Sequence, residues 1–373
     1  MTRKIWMLTL LAVIATVAVL LAACDGEDRP GSVDVIDDTG SVSGPTGSVS
    51  GLEPNSGESP VGLGGYLPVS DVANHARISR DVAEINALLR ESPIDWAAVN
   101  TLYVGGKNSA SGDGFRTIAG FARNEGRSEA IWNDYVAYYG DQTWLDTFVT
   151  DAMKGTGAFA GEPDGVRKQG VEKGIQNQIM VAWTIHELVA ARGKAADGNF
   201  DAAAGAPHNW DEGWAFYRGV DPHGAPFLTA NKRGANFGTG TAVNDAMLVA
   251  MNAGREALVA GEAAGANVAY DEVIRQLLIT YAQATIRYAT VIANDLAESD
   301  TASAREHQAE GWAFFRVIEP LVATIDSGAA ATIAGFYDLA SPPSADGDPA
   351  VRNAMESVYG PYDITTADVG TLQ

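Results

Sequence analysis

The pentapeptide Glu-Gly-Trp-Ala-Phe occurs twice in this chain of 373 residues, at 212–216 and at 310–314. Five identical residues that include two large aromatics indicate an internal duplication rather than a chance recurrence. The similarity extends further, because Asp-Ala-Met at 151–153 and again at 245–247 precedes each pentapeptide at a similar distance. Such self-similarity is the signature of a repeated structural unit. The chain is therefore predicted to contain two related halves.

These halves, at about 128–225 and 235–325, are predicted to be helical. Each contains a long segment, roughly 166–192 and 267–297, in which apolar residues recur at steps of three and four. That period marks one face of an α-helix. No pair of segments shows the alternation expected of paired β-strands. The predicted fold class is all-α, a helical bundle built from two duplicated halves.

The N-terminus predicts export. Arg3 and Lys4 precede an almost wholly apolar stretch, and Leu-Ala-Ala-Cys at 21–24 resembles a bacterial lipobox. Residues 1–23 are therefore interpreted as a lipoprotein signal peptide, with Cys24 as the lipidated first residue of the mature chain. An uncleaved N-terminal anchor is the alternative. Both interpretations place the body of the protein outside the cytoplasm, in a bacterial cell envelope and attached to the membrane.

A tether and a single large domain are expected to follow. Gly, Ser, Asp and Pro dominate residues 24–62, which have too little apolar surface to offset the entropy lost on ordering. The domain is predicted to span 63–373, with a helical hairpin at 70–124 and a C-terminal helix and tail at 326–373. Cys24 is the only cysteine, so this domain has no thiolate ligand and no disulfide.

The chain is strongly acidic, with a formal net charge of -22. A nucleic-acid partner is excluded on this basis, because phosphate binding requires a basic surface. The acidity has two interpretations, which are solubility and the attraction of cations.

Carboxylates and imidazoles lie close to both copies of the pentapeptide. Glu306, His307 and Glu310 fall within about one helical turn, and His208 stands four residues before Glu212. Carboxylates with imidazoles and no thiolate suit iron, manganese or zinc. We predict a metal site between the two halves. Its core ligands are Glu212, Glu310, His307 and His186, and its second-rank candidates are His208, Asp211 and Glu306.

Purely structural roles for the same residues remain open. Asn209 with Glu212, and Ser303 with Glu306, have the spacing of helix capping boxes. The capping interpretation accounts for one pentapeptide glutamate but not for Glu310. Because His186 lies on an apolar helix face, it is either a ligand or a core histidine with one hydrogen bond. If only one copy binds metal, the sequence favours the second.

Five segments of the chain together carry a family resemblance. They are Asp-Trp-Ala-Ala-Val-Asn-Thr-Leu-Tyr at 95–103, Gly-Lys-Asn-Ser at 106–109, Lys-Gly-Ile-Gln at 173–176, Trp-Asp-Glu-Gly-Trp-Ala-Phe-Tyr at 210–217 and Asp-Val-Gly at 368–370. These segments resemble the low-iron-inducible periplasmic proteins of green algae, which are secreted iron-assimilation proteins. The resemblance covers about residues 70–370, and the lipobox departs from the freely secreted algal pattern. The resemblance implies an extracytoplasmic protein that binds iron or helps deliver it to a transporter.

The leading hypothesis is thus a lipid-anchored iron-binding protein that assists iron acquisition, with iron or another divalent metal as its ligand. Its expected partners are the membrane, through the lipid on Cys24, and a metal transporter. Two alternatives remain. One is a carboxylate di-metal enzyme, although binding is favoured over catalysis. The other is a structural or partner-binding surface lipoprotein.

Overall fold

A computed structural model describes residues 63–123, 127 and 129–373 of the chain. The predictions for the signal peptide, for Cys24 and for the tether lie outside these residues and remain predictions. The described residues form helices almost throughout, which confirms the predicted all-α class. None of these helices is long and apolar enough to span a lipid bilayer.

The chain begins with short elements in place of the simple helical hairpin predicted for 70–124. The two-residue turn at 112–113, with a positive φ of 55° at Gly112, closes a small antiparallel hairpin. The elements of this segment are α1 (Ala73–Ala76), α2 (Ile78–Leu88), α3 (Trp96–Gly105), β1 (Ala110–Ser111), β2 (Gly114–Phe115) and α4 (Ile118–Ala122).

The predicted first half contains the first long helical run. It extends over residues 164–196. One π-helical turn interrupts it, and the spacing of apolar residues in the sequence did not predict this turn. The elements are α5 (Ala130–Tyr139), α6 (Trp144–Lys154), a 3-10 turn (Gly157–Phe159), α7 (Asp164–Lys173), the π-helical turn (Gly174–Ile179), α8 (Met180–Ala196) and α9 (Ala206–Arg218).

The longest helix of the described chain lies in the predicted second half, and it packs against α8 as well as against helices that precede and follow it in the sequence. The elements from residue 222 to the C-terminus, which extend beyond that half on both sides, are a 3-10 turn (Pro222–Gly224), α10 (Pro226–Asn236), α11 (Ala242–Val259), α12 (Ala263–Ala297), α13 (Thr301–Phe315), α14 (Glu319–Ile325), α15 (Ser327–Tyr337), α16 (Asp348–Ser357), a 3-10 turn (Gly360–Tyr362) and α17 (Thr366–Val369). Both predicted long helices are thus present.

The two pentapeptides lie in α9 and α13, at the seam between two apolar clusters. In α9, Trp214 belongs to the cluster around α12, whereas Phe216 belongs to the cluster formed by α2, α4, α6 and α7. In α13, Phe314 belongs to the cluster around α12 and Ala313 to the other, so the equivalent phenylalanines of the two pentapeptides lie in different clusters. Each of the two helices thus contacts both cores, and Glu212 and Glu310 are buried where the cores meet.

The glycine of each pentapeptide permits a close helix approach. A Cβ on Gly213 would lie 2.8 Å from Leu188 Cδ2 of α8, and one on Gly311 would lie 2.1 Å from Tyr337 Cε1 of α15. Glycine lowers helix stability relative to alanine. Here the loss is balanced by packing that a methyl group would prevent.

Candidate functional site

The first-copy glutamate lies at the centre of a cluster of ionisable side chains. His75 Nδ1 is 3.2 Å and His208 Nε2 is 3.1 Å from the same oxygen, Glu212 Oε1. The other oxygen, Oε2, accepts a 3.3 Å hydrogen bond from Asn209 Nδ2, which also donates to Glu187 Oε2 at 2.5 Å. We call the four ionisable residues, His75, Glu187, His208 and Glu212, the Glu212 cluster.

The position of the helix start explains why Glu212 reaches this cluster. Helix α9 begins at Ala206, with Gly205 as N-cap and Pro207 in its first turn, so Glu212 lies in the second turn. The predicted capping box at Asn209 is therefore wrong, and the carboxylate is not engaged with its own N-cap. The predicted box at Ser303 is also wrong, because Asp300 caps α13 and accepts from the Ser303 amide.

The pKa values of Glu212 and Glu187 shift in opposite directions. Burial raises the pKa of both carboxyls, but for Glu212 the interactions with its neighbours, the hydrogen bond from His208 foremost, together outweigh burial and hold its pKa at about 2. Burial and the neighbouring Glu212 charge raise the pKa of Glu187 well above its ordinary value. Of the two carboxyls, Glu212 is therefore the one that loses its proton first as the pH rises.

The two imidazoles also differ. The hydrogen bond to Glu212 raises the pKa of His208. Burial lowers the pKa of His75 to about 4, despite the attraction of Glu212, so this ring is neutral at physiological pH. In the absence of a cation, a proton on His208 Nε2 thus bridges the ring to Glu212.

A second set of hydrogen bonds, on the Nδ1 side of the ring, orients His208. Its Nδ1 is 2.9 Å from Ser70 Oγ, and Ser70 Oγ in turn donates to Asp211 Oδ2 at 2.8 Å. Asp211 also accepts from the Tyr66 hydroxyl at 2.6 Å and from the backbone amides of Val69 and Ser70. Both Asp211 oxygens are therefore occupied by fixed donors, and this residue orients the ring instead of facing the cluster.

The second-copy glutamate has a different environment. Glu310 Oε1 is 3.2 Å from Lys173 Nζ, and the same ammonium is 3.1 Å from Glu172 Oε1. All three side chains are less than a tenth exposed. Burial raises the pKa of Glu310, but the charge of Lys173 and the interactions with its other neighbours together outweigh burial, and the net shift is downward. A protein ammonium thus already occupies the position of a cation beside Glu310.

The other second-copy candidates contact different partners. His307 Nδ1 lies 2.6 Å from Asp295 Oδ2, and its ring packs against Tyr288. Glu306 is partly exposed, 3.9 Å from Lys168 Nζ. Helical spacing does place these side chains near Glu310, but each is paired with another element.

His186 is half-buried rather than fully inward. Its Nδ1 contacts Glu129, and its ring packs edge-on against Trp183. The neighbouring Glu187 is the residue of this turn that reaches the Glu212 cluster. Hence the predicted four-residue core does not share a single environment. Glu212 and His186 have separate partners, whereas Glu310 and His307 act on each other electrostatically and share Tyr288 as a neighbour.

Two members of the Glu212 cluster were not among the predicted ligands. Glu187 follows His186 in a segment that lacks the second histidine of the zinc-protease helix motif. His75 had no sequence signal except that the chain contains just five histidines. Within residues 63–123, 127 and 129–373, no three His, Cys, Asp or Glu side chains have donor atoms placed as around a bound metal ion. The Glu212 cluster is instead closed by direct hydrogen bonds.

The comparisons with known proteins identify a family but no individual relative. No curated protein and no solved structure matches the chain significantly. The sequence profile of one family, the low iron-inducible periplasmic proteins, matches residues 46–373 and hence most of the chain. This profile confirms the resemblance identified from the five segments between residues 95 and 370. The chain is a member of the low iron-inducible periplasmic protein family.

Proposed function

We propose that this protein binds iron outside the cytoplasm at the Glu212 cluster and assists iron acquisition while anchored to the membrane by a lipid on Cys24. The family is periplasmic and induced by low iron, so the context of iron acquisition follows from membership. Iron binding itself, the ligands and the anchor are the proposal.

The observation that carries it is the convergence of two imidazole nitrogens on one carboxylate oxygen, at 3.1 and 3.2 Å. Ligands that lie about 2.1 Å from one ion are separated by roughly 3.0–3.4 Å in octahedral or tetrahedral geometry. Each nitrogen–oxygen distance is therefore within the range expected of two ligands of one ion, a range that direct hydrogen bonds share. A metal ion could bind between these atoms if it displaced the proton on His208 Nε2 and the Glu212 carboxylate rotated by a small angle.

The ligand types also suit iron. Two imidazoles with one or two carboxylates form the donor set of many non-haem iron sites. His208 has the outer hydrogen bond that a metal-bound histidine requires, here to Ser70 and from there to Asp211. The His75 and His208 side chains retain 17% and 23% of their exposure, so the cluster is accessible from solvent.

The first copy is a better candidate than the second, contrary to the preference drawn from sequence. At Glu310 the charge of Lys173 would repel an incoming cation, whereas the Glu212 cluster contains no lysine or arginine within salt-bridge distance in the described part of the chain. Glu310, His307, Glu306 and His186 remain untested as ligands. A di-metal enzyme that requires Glu212 and Glu310 together gains no support from their separate partners.

The test is anaerobic titration of the purified protein with ferrous iron, measured by calorimetry and by metal analysis after dialysis. Glu212→Gln keeps the shape of the side chain and removes its charge, and His208→Ala removes one ligand. We expect each to weaken iron binding by at least tenfold, and Ser70→Ala to weaken it by about tenfold through loss of the outer hydrogen bond.

His223→Ala is the matched control, because the His223 ring is exposed and its ion pair is with Asp221, outside the Glu212 cluster. It should bind iron as the wild type does. Equal affinity in the wild type and Glu212→Gln would exclude this cluster. Loss of binding in Glu310→Gln but not in Glu212→Gln would move the site to the second copy.

A further inference from the structure

A cavity separate from the Glu212 cluster lies between α5, α6, the π-helical turn and α8. It encloses about 310 Å³ including its mouth, but the centre of a water molecule can move through only about 20 Å³ of this. Most of its walls are apolar, and aromatic rings of Trp132, Tyr135 and Trp144 form one side. A cavity of this size can hold a ligand of only a few heavy atoms.

Three residues of the cavity lining each carry a buried polar atom without a hydrogen-bond partner among the described residues. The atoms are Arg127 Nη1, Trp144 Nε1 and Gln178 Oε1. Each of these residues is less than a tenth exposed. A buried polar group without a partner is unfavourable, so three such groups around one cavity give a reason to expect a polar ligand there.

The other bonds of these residues fix which atom faces the cavity. Arg127 donates from Nε to Glu129 at 3.0 Å and from Nη2 to the Ala182 carbonyl at 3.2 Å, which leaves both Nη1 hydrogens for the cavity. Gln178 Nε2 donates to the Ala313 carbonyl at 3.0 Å. Because a carbonyl only accepts, the amide nitrogen must face Ala313 and the amide oxygen must face the cavity.

The cavity therefore presents three N–H donors, two from Arg127 and one from Trp144, and one acceptor, from Gln178. One water molecule accepts two hydrogen bonds at most, so it would leave one donor without a partner. A carboxylate accepts all three, and a guanidinium is the residue best suited to bind it. A hydroxyl on the same ligand would satisfy the Gln178 oxygen.

We propose that this cavity binds a short hydroxycarboxylate, with the carboxylate held by Arg127 and Trp144 and the hydroxyl donating to Gln178. Arg127 stays charged at neutral pH, since burial lowers its pKa only to about 10. Its guanidinium is stacked 3.9 Å from the Trp132 ring centroid, which holds the fork in place. Gln178 lies in the π-helical turn, a feature often associated with functional sites.

The probe is glycolate, added to the purified protein and followed by calorimetry and by the NMR signal of the Trp144 indole N–H. Propionate is the matched ligand control, because it has a methyl group where glycolate has its hydroxyl. We expect saturable glycolate binding with a Kd of about 10 mM or below, and propionate binding at least tenfold weaker.

Trp144→Phe keeps an aromatic wall and removes one donor, so it should weaken glycolate binding about tenfold. Trp96→Phe is the control variant, since Trp96 donates to Asp164 and does not line the cavity. If glycolate causes no heat and no shift of the Trp144 signal at about 10 mM, water alone occupies the cavity and the proposal fails. Equal binding of propionate also refutes it. Neither result bears on iron binding, because the cavity lining includes no residue of the Glu212 cluster.

Discussion

The glycines of the two pentapeptides allow a matched test of how identical sequences are constrained by different surroundings. Replacing Gly311 with alanine places a methyl carbon 2.1, 2.6 and 2.8 Å from three ring carbons of Tyr337. That ring is fully buried, and its hydroxyl donates to the Thr285 carbonyl. The same replacement at Gly213 meets mainly a Leu188 methyl group, at 2.8 Å.

The magnitudes follow from two opposing terms. In both helices alanine gains about 1 kcal/mol of helix propensity over glycine. At Gly311 a rigid ring anchored by a hydrogen bond must move by more than 1 Å, so the cost is at the upper end of the range for overpacking, about 3 kcal/mol. At Gly213 the terminal methyl can rotate away, for about 1 kcal/mol. We therefore expect Gly311→Ala to lose about 2 kcal/mol of stability and Gly213→Ala to remain close to wild type.

Urea unfolding followed by circular dichroism measures both variants under identical conditions. Tyr337→Ala should remove most of the additional cost of Gly311→Ala in a double-mutant cycle, because the clashing ring is then absent. A stability of Gly311→Ala equal to that of the wild type would refute the reasoning. A greater loss in Gly213→Ala than in Gly311→Ala would refute it equally.

Three further predictions concern charge and anchoring. The pKa of His75 is lowered from 6.5 to about 4, so between these pH values the unfolded chain binds more protons than the folded one, and stability falls as the pH falls from 6.5 towards 4. Over this range the free energy of unfolding of His75→Gln, measured in urea titrations, should fall by up to about 3 kcal/mol less than that of the wild type. Parallel curves for the two proteins would contradict this. Lys173→Met leaves two buried carboxylates without their ammonium and should cost about 3–5 kcal/mol, whereas Lys107→Met, at an exposed ion pair, should leave thermal stability close to that of the wild type; similar losses in thermal unfolding would show that burial is not decisive. Cys24→Ser should release the protein from the membrane fraction of expressing cells, and retention of the variant there would exclude the lipid anchor.

The long helices were predictable because their signal is local. Apolar residues at steps of three and four identified the runs now seen at 164–196 and 263–297. Helix starts were less predictable, since several residues compete for the same role. Asn209 has the spacing of an N-cap but lies inside α9, because Gly205 and Pro207 begin the helix one turn earlier.

The sequence by itself determined that the chain is all-helical, that it belongs to an iron-related periplasmic family and that two identical pentapeptides carry inward-facing carboxylates. The sequence could not determine which side chains contact each carboxylate. Glu212 receives His75 from α1, whereas Glu310 receives Lys173 from α7, and both partners lie more than a hundred residues away in the chain. Periodicity fixes which face of a helix is buried, but the charge of a buried carboxylate is set by the groups that the fold packs against it. The glutamate of the same pentapeptide is therefore a candidate iron ligand in one helix and half of a buried ion pair in the other.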